Sequence, residues 1–149
     1  KDFIFLLSLM IIDETDNTDY FLYKFNLSNR DKQRINFLKN IFSKSIIPNT
    51  FSEMNLWKIF YYNGKKNLDD MINFQIFKSK KIDNKLIKLS EYFNLHNQPV
   101  FPIKAKNIME KYNLKENKHL GQKLKEIENI WVNNSFKISE EEIEKVVKN

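Results

Sequence analysis

An all-α fold, a bundle of about seven or eight short helices, is the architecture this sequence predicts. Three observations carry that expectation. Only two glycines and three prolines occur in 149 residues, too few for the tight turns a sheet protein needs. Helix start signals recur, each a Ser, Thr or Asn three residues ahead of an acid, the spacing at which two side chains satisfy free backbone N–H groups. They are Ser28 with Asp31, Thr50 with Glu53, Asn67 with Asp70 and Ser139 with Glu142. Each leads into apolar residues spaced three or four apart, the period of one helix face.

Taken in order, the apolar run from Phe3 to Ile12 is about half of the roughly 20 residues needed to span a bilayer, so it reads as a buried helix. The acidic residues after it do not fit a signal-peptide cleavage site, and the stretch 13–19 reads as a loop. The chain opens on Lys1 rather than Met, as a processed or excised segment would. Ile35, Leu38 and Phe42 share a face after Ser28, and Met54, Trp57 and Tyr61 share one after Thr50. Gly64 is expected to stop that helix and Asn67 to open the next, which carries Leu68, Met71, Ile72 and Ile76. Leu86, Leu89 and Phe93 form a shorter stripe before Pro99 and Pro102 turn a corner. Helices over 104–112 and 118–133, and one from Glu140, complete the chain. The expected core is Leu38, Trp57, Phe60, Met71, Leu89, Ile108, Leu124 and Trp131. Residues 1–149 read as a single helical domain, with a body over 1–98 and a tail over 99–149.

The net charge is +6, and Arg30 and Arg34 are the only arginines among 25 basic residues. Such a balance favours a polyanionic partner. Abundant Lys, Asn, Ile and Phe also follow from an A- and T-rich coding sequence, so the charge permits RNA binding without identifying it. The lack of cysteine removes disulfides and Cys-ligated zinc and fits a reducing, cytoplasmic setting.

Several chemistries lack their residues. Asp13, Asp16 and Asp19 have neither the central glycine nor the closing glutamate of a calcium loop. Asp69 and Asp70 read as helix N-terminal charges, and no Gly-Ser loop accompanies them as two-metal nucleotidyl transfer requires. His96 and His119 stand alone, and no serine sits in a nucleophile elbow. Trp57, Phe60 and Tyr61 read as core, with Tyr62 the one aromatic of that group placed to stay exposed. The candidate phosphate contacts are Lys104, Lys106, Lys111, Lys115, Lys118 and Lys123, with Lys125 beside them. Lys104, Lys106 and Lys118 sit at helix starts, where free N–H groups also favour phosphate.

The stretch from Phe101 to Phe136 resembles the C-terminal tail of bacterial class II tRNA nucleotidyltransferases and the related poly(A) polymerases. In that family a segment of the type Pro-hydrophobic-x-Gly-x-Asp-Leu-Met opens a short helix, and a Leu-Gly pair leads a longer helix ending near an aromatic residue. Pro102, Ile103, Ile108 and Met109 match the first part; Leu120, Gly121, Leu124, Ile127, Glu128 and Trp131 match the second. Ala105 and Asn107 stand where the family has glycine and aspartate, and Glu116-Asn117-Lys118 replaces its Pro-Gly-Pro turn. Upstream, Leu27-Ser28-Asn29 with Arg34-Ile35 is similar to the family's Leu-Ser-Asn segment and its following Arg-Leu pair, and Leu56 to Tyr61 with Leu68-Asp69-Asp70 sits where the family has another helix pair. The family's catalytic head and its nucleotide-selecting neck have no counterpart.

The resemblance implies the RNA-binding body and tail of such an enzyme. These would grip the acceptor and T-arm side of tRNA, or another structured RNA, so that the 3′ end reaches a catalytic head and neck, in cis or as a separate chain, for CCA addition or polyadenylation. No cofactor is expected in this chain, whereas the resembled full-length enzyme uses Mg2+ with CTP and ATP. No membrane association is expected. Two rival readings stand beside it. A helical protein-interaction module would dock a partner through an exposed apolar patch near Phe3 to Ile12. A DNA-binding domain would need base-reading side chains, and arginine, best suited to guanine edges, is scarce.

Overall fold

The structure is a computed structural model that describes residues 2–13, 15–42, 49–79 and 83–148. Among them it is all-α, with eight helices and no strand: α1 (Phe3–Ile11), α2 (Asn17–Lys24), α3 (Asn29–Phe42), α4 (Glu53–Lys78), α5 (Asn84–Asn94), α6 (Ala105–Tyr112), α7 (Lys118–Asn133) and α8 (Glu140–Lys148). The chain divides into two compact units, Lys1–Gln98 and Pro99–Asn149.

Local chemistry accounts for most of the helix ends. Ser28 Oγ accepts from the Asp31 N–H at 3.2 Å and donates to the Asp31 carboxylate at 2.7 Å, at the start of α3. Ser139 and Glu142 form the full reciprocal pair ahead of α8: the Ser139 N–H donates to the Glu142 carboxylate at 2.8 Å and the Glu142 N–H to Ser139 Oγ at 3.2 Å. At α4 the cap is Ser52 rather than the expected Thr50. Ser52 Oγ accepts from the Asn55 N–H, while the Thr50 carbonyl accepts from the Asn55 side chain at 2.7 Å.

The expected loop over 13–19 is shorter than anticipated. Asp13 accepts from the Thr15 N–H, the Thr15 hydroxyl and the Asn17 amide, at 2.9, 2.6 and 2.8 Å. This knot turns the chain early enough for α2 to begin at Asn17. Thr18 is buried, and its hydroxyl closes the end of α1 by donating to the Ile11 carbonyl at 2.7 Å. Glu14, within that expected loop, lies outside the described residues.

Gly64 ends the first helical run of α4, as expected, and a second run follows directly across a kink. The Gly64 backbone (φ 80°, ψ 171°) is non-helical, in a region open essentially to glycine alone. One residue steps out and the helix resumes, so Asn67 caps nothing. Two carbonyls just before the break are instead met by side-chain amides, Tyr61 O by Gln98 and Asn63 O by Asn67, both at 2.9 Å. Beyond the break Leu68, Met71, Ile72 and Phe74 are fully buried.

In the first unit these residues pack with Ile35, Leu38, Leu56, Phe60 and Phe93. The second unit has its own core of Ile108, Leu120, Ile127, Val146 and Val147. Of the expected core residues, Leu38, Phe60, Met71, Ile108 and Trp131 are buried, whereas Trp57, Leu89 and Leu124 are partly buried at the core margins. Trp57 lies edge-on to Phe93 at 4.9 Å and to His96 at 5.5 Å, so one side of its ring borders an exposed histidine. The opening helix α1 is only half-buried. Leu7 and Ser8 face inward, while Phe3, Leu6 and Met10, three and four residues apart, form an outward apolar stripe.

The two glycines should respond in opposite ways to alanine. At Gly64 the nearest atom to an added Cβ is 4.0 Å away, so the penalty is backbone strain alone and Gly64→Ala should destabilise by about 1–3 kcal/mol. Gly121 lies inside α7 with open space around it, and Gly121→Ala should stabilise by about 1 kcal/mol. Denaturant midpoints of the two variants check both signs. Trp131→Ala removes a side chain held between Phe101 and Phe136 at 5.4 and 4.9 Å and should cost about 3–5 kcal/mol in the same measurement.

Candidate nucleic-acid interface

The candidate lysines all fall in the second unit, on or around α6 and α7. Ile108, Met109 and Tyr112 give α6 its inner face, which leaves Lys106 and Lys111 on the outer one. The helix stops because Asn113 adopts a left-handed conformation (φ 51°, ψ 43°), and the Leu114 N–H closes onto the Met109 carbonyl at 3.1 Å. After a short connection Asn117 starts α7, its Oδ1 accepting from the Leu120 N–H at 2.9 Å.

The six lysines divide into two sets. Lys106 faces Glu110 one turn on, at 3.7 Å, with both side chains exposed, a contact of little energy. Lys111 pairs with Glu140 at the start of α8, and that carboxylate raises the lysine pKa above its ordinary value. Lys123 is half-buried and donates to the Val146 carbonyl at 2.9 Å, where a cation complements the carboxyl end of α8. Lys104, Lys115 and Lys118 are exposed, and none has a partner among the described residues.

Their placement is electrostatically unusual. Lys104 is the N-cap of α6 and Lys118 the first residue of α7, and neither helix has an acid in its first turn. A cation at a helix N-terminus adds to the positive end of the macrodipole instead of opposing it. In the same unit α8 follows the opposite rule, with Glu140, Glu141 and Glu142 in its first turn. At a rise of about 1.5 Å per residue, the eight residues of α6 separate Lys104 from the Lys115–Lys118 turn by about 12 Å. The three cations therefore suit several phosphates of an extended polyanion better than one small anion.

A polar cluster in the first unit was not legible in the sequence. Arg34 on α3 binds two carboxylates from distant parts of the chain: Asp2, through 2.8 and 2.6 Å contacts, and Asp70, through Nε and a 2.8 Å contact from Nη2. Lys66 joins them, 2.6 Å from Asp2 and 3.4 Å from Asp70. Asp70 is 2% exposed. The expected role of Asp69 and Asp70 as helix N-terminal charges is thus corrected. Both lie inside α4, Asp69 paired with Lys65 and Asp70 held by Arg34. The one sequence signal was an aspartate between Leu68 and Met71, on the buried side of a helix.

Among the described residues no helix is long and apolar enough to cross a membrane, and no three His, Cys, Asp or Glu side chains are grouped to hold a metal ion. Comparison with protein-family models, with curated proteins and with solved structures found no match to this chain.

Removing one partner of a buried ion pair strands the other charge, so Asp70→Asn should cost about 3–5 kcal/mol in urea unfolding. Asp2 adds a pH dependence. Its hydrogen bonds from the Arg34 guanidinium hold its carboxyl well below the ordinary value of 3.8. A depressed folded-state pKa contributes stability that is fully present above the unfolded value and is lost as pH falls through the folded one. The urea midpoint of the native chain should therefore fall between about pH 4 and pH 2 more steeply than that of Asp2→Asn.

Proposed function

We propose that this chain is an RNA-binding module that grips a structured RNA, tRNA foremost, by its phosphate backbone and presents the RNA 3′ end to a catalytic head and neck supplied in cis or by another chain. The observation that carries the reading is the set of exposed cations Lys104, Lys115 and Lys118, two of them at helix starts that lack any acidic residue in the first turn. A phosphate at either start would meet both the lysine and the free backbone N–H groups. Such contacts position an RNA by shape rather than by base sequence. The resemblance of 101–136 to the tail of tRNA nucleotidyltransferases and poly(A) polymerases agrees with that use. Nucleotide addition itself belongs to the part of those enzymes with no counterpart here.

A second reading has its own observation. Phe3, Leu6 and Met10 are 68%, 46% and 80% exposed along one stripe of α1, as a helical protein-interaction module would present them. Concentration-dependent self-association without RNA binding would favour it.

The test is a titration of labelled tRNA at several salt concentrations, with duplex DNA and unstructured RNA as competitors. The native chain should prefer tRNA, with affinity falling steeply as salt rises. Each lost phosphate contact lowers the log–log salt slope by about 0.7–0.9, so replacing Lys104, Lys115 and Lys118 with alanine should reduce it by about two or more. The triple replacement of Lys106, Lys111 and Lys123, whose ammonium groups already have intramolecular partners, should change it less. Equal slopes for both triple variants would remove the phosphate surface from the reading.

A further inference from the structure

The break at Gly64 has a consequence on the surface of the first unit. Tyr62 and Asn63 just before it, and Lys66 and Asn67 just after it, border one cavity of about 400 Å³, and α3 supplies Arg30, Gln33, Arg34 and Phe37 as the opposite wall. The volume is in the range of small-molecule sites. Both arginines of the protein line it, in a chain whose other cations are lysines. None of these eight wall residues is acidic.

Charge balance narrows the ligand. Arg34 and Lys66 are already matched by the two carboxylates behind them, Asp2 and Asp70. Arg30 is exposed and has no partner among the described residues, so the wall offers one uncompensated positive charge, on a side chain whose planar fork suits phosphate oxygens. One surplus charge matches a phosphodiester and falls well short of a triphosphate.

The rest of the wall suits a nucleoside. The Tyr62 ring, edge-on to Tyr61 at 4.8 Å, is 56% exposed, and an exposed aromatic ring is a surface on which a base can stack. Gln33 and Asn63 bring amides that both donate and accept, and Asn67 brings an amide oxygen and the second N–H of a nitrogen whose first goes to the Asn63 carbonyl.

We propose that this cavity holds one phosphodiester-linked nucleotide of an RNA strand, with the phosphate on Arg30 and Lys66, the base against Tyr62, and the amides of Gln33, Asn63 and Asn67 on the base edge and sugar. The site deepens the RNA-binding reading and rests on it, yet it uses none of the lysines of the second unit.

The experiment titrates the full ¹⁵N-labelled chain with the ribodinucleotide ApA and follows the side-chain amide resonances of Gln33, Asn63 and Asn67. The dinucleotide should shift them saturably, while inorganic phosphate and adenosine at the same concentration should not. Arg30→Gln should weaken ApA about tenfold without moving the melting temperature, and Tyr62→Leu should weaken it at least about fivefold. Equal shifts from inorganic phosphate would overturn the proposal in favour of a general anion site. ATP binding more than tenfold tighter than ApA would overturn it in favour of a free-nucleotide site. No shift with ApA, or an Arg30→Gln chain that binds as the native one does, would also overturn it. The Lys104, Lys115 and Lys118 triple variant separates the two readings. Loss of tRNA affinity with ApA shifts intact supports both. Full tRNA affinity in the native chain without ApA shifts sinks the cavity alone.

Discussion

Arg34 is the point through which the first unit is held together. Its guanidinium reaches the residue that caps α1 and a buried carboxylate in the second half of α4, while its own backbone belongs to α3. Three helices thus converge on one planar group whose fork geometry fixes their relative rotation. Taking these charges out of water is costly, and only the full set of contacts offsets that cost. Among the described residues no buried side-chain polar atom lacks a hydrogen-bond partner, the condition under which such a network specifies a unique arrangement instead of weakening the core.

The same arrangement shapes the surface. Arg34 ties the second half of α4 to α3 through Asp70, and Gly64 separates that half from the first. The break then displays side chains from both halves around one cavity. Lys66 takes part in the clamp and in the wall, so the electrostatics of the surface and the stability of the interior are not independent in this unit.

The second unit follows a simpler logic. Its core is small and aliphatic, flanked by Trp131 between two phenylalanines. Its charges are distributed unevenly over its helix starts: acids fill the first turn of α8, and lysines without acids occupy the starts of α6 and α7. Helix stability alone favours the first pattern and disfavours the second. The proposed RNA contact at Lys104 and Lys118 rests on that contrast rather than on the overall charge, which any lysine-rich composition shares.

Much of the helical architecture could be read directly from the sequence, because helix formation rests on local signals. The start at Ser28 and the Ser139–Glu142 pair depend on residues three apart, and the range of α7 follows from the spacing of Leu120, Leu124, Ile127 and Trp131. Where two local signals competed, the reading went astray. Ser52 displaced Thr50 as a cap, Asp13 tied the loop short, and the helical run after Gly64 began before Asn67 could cap it. The lysines were legible as a cluster, but not their division into three engaged and three exposed without partners among the described residues, since Glu140 and the Val146 carbonyl lie 29 and 23 residues from their partners. Arg34 makes the point most clearly. Its carboxylates lie 32 and 36 residues away in the chain, and no periodicity reports a contact at that separation. Local hydrogen bonding and apolar spacing determined which segments are helices; only packing in three dimensions decided which charges are buried, which are matched and which are left facing solvent.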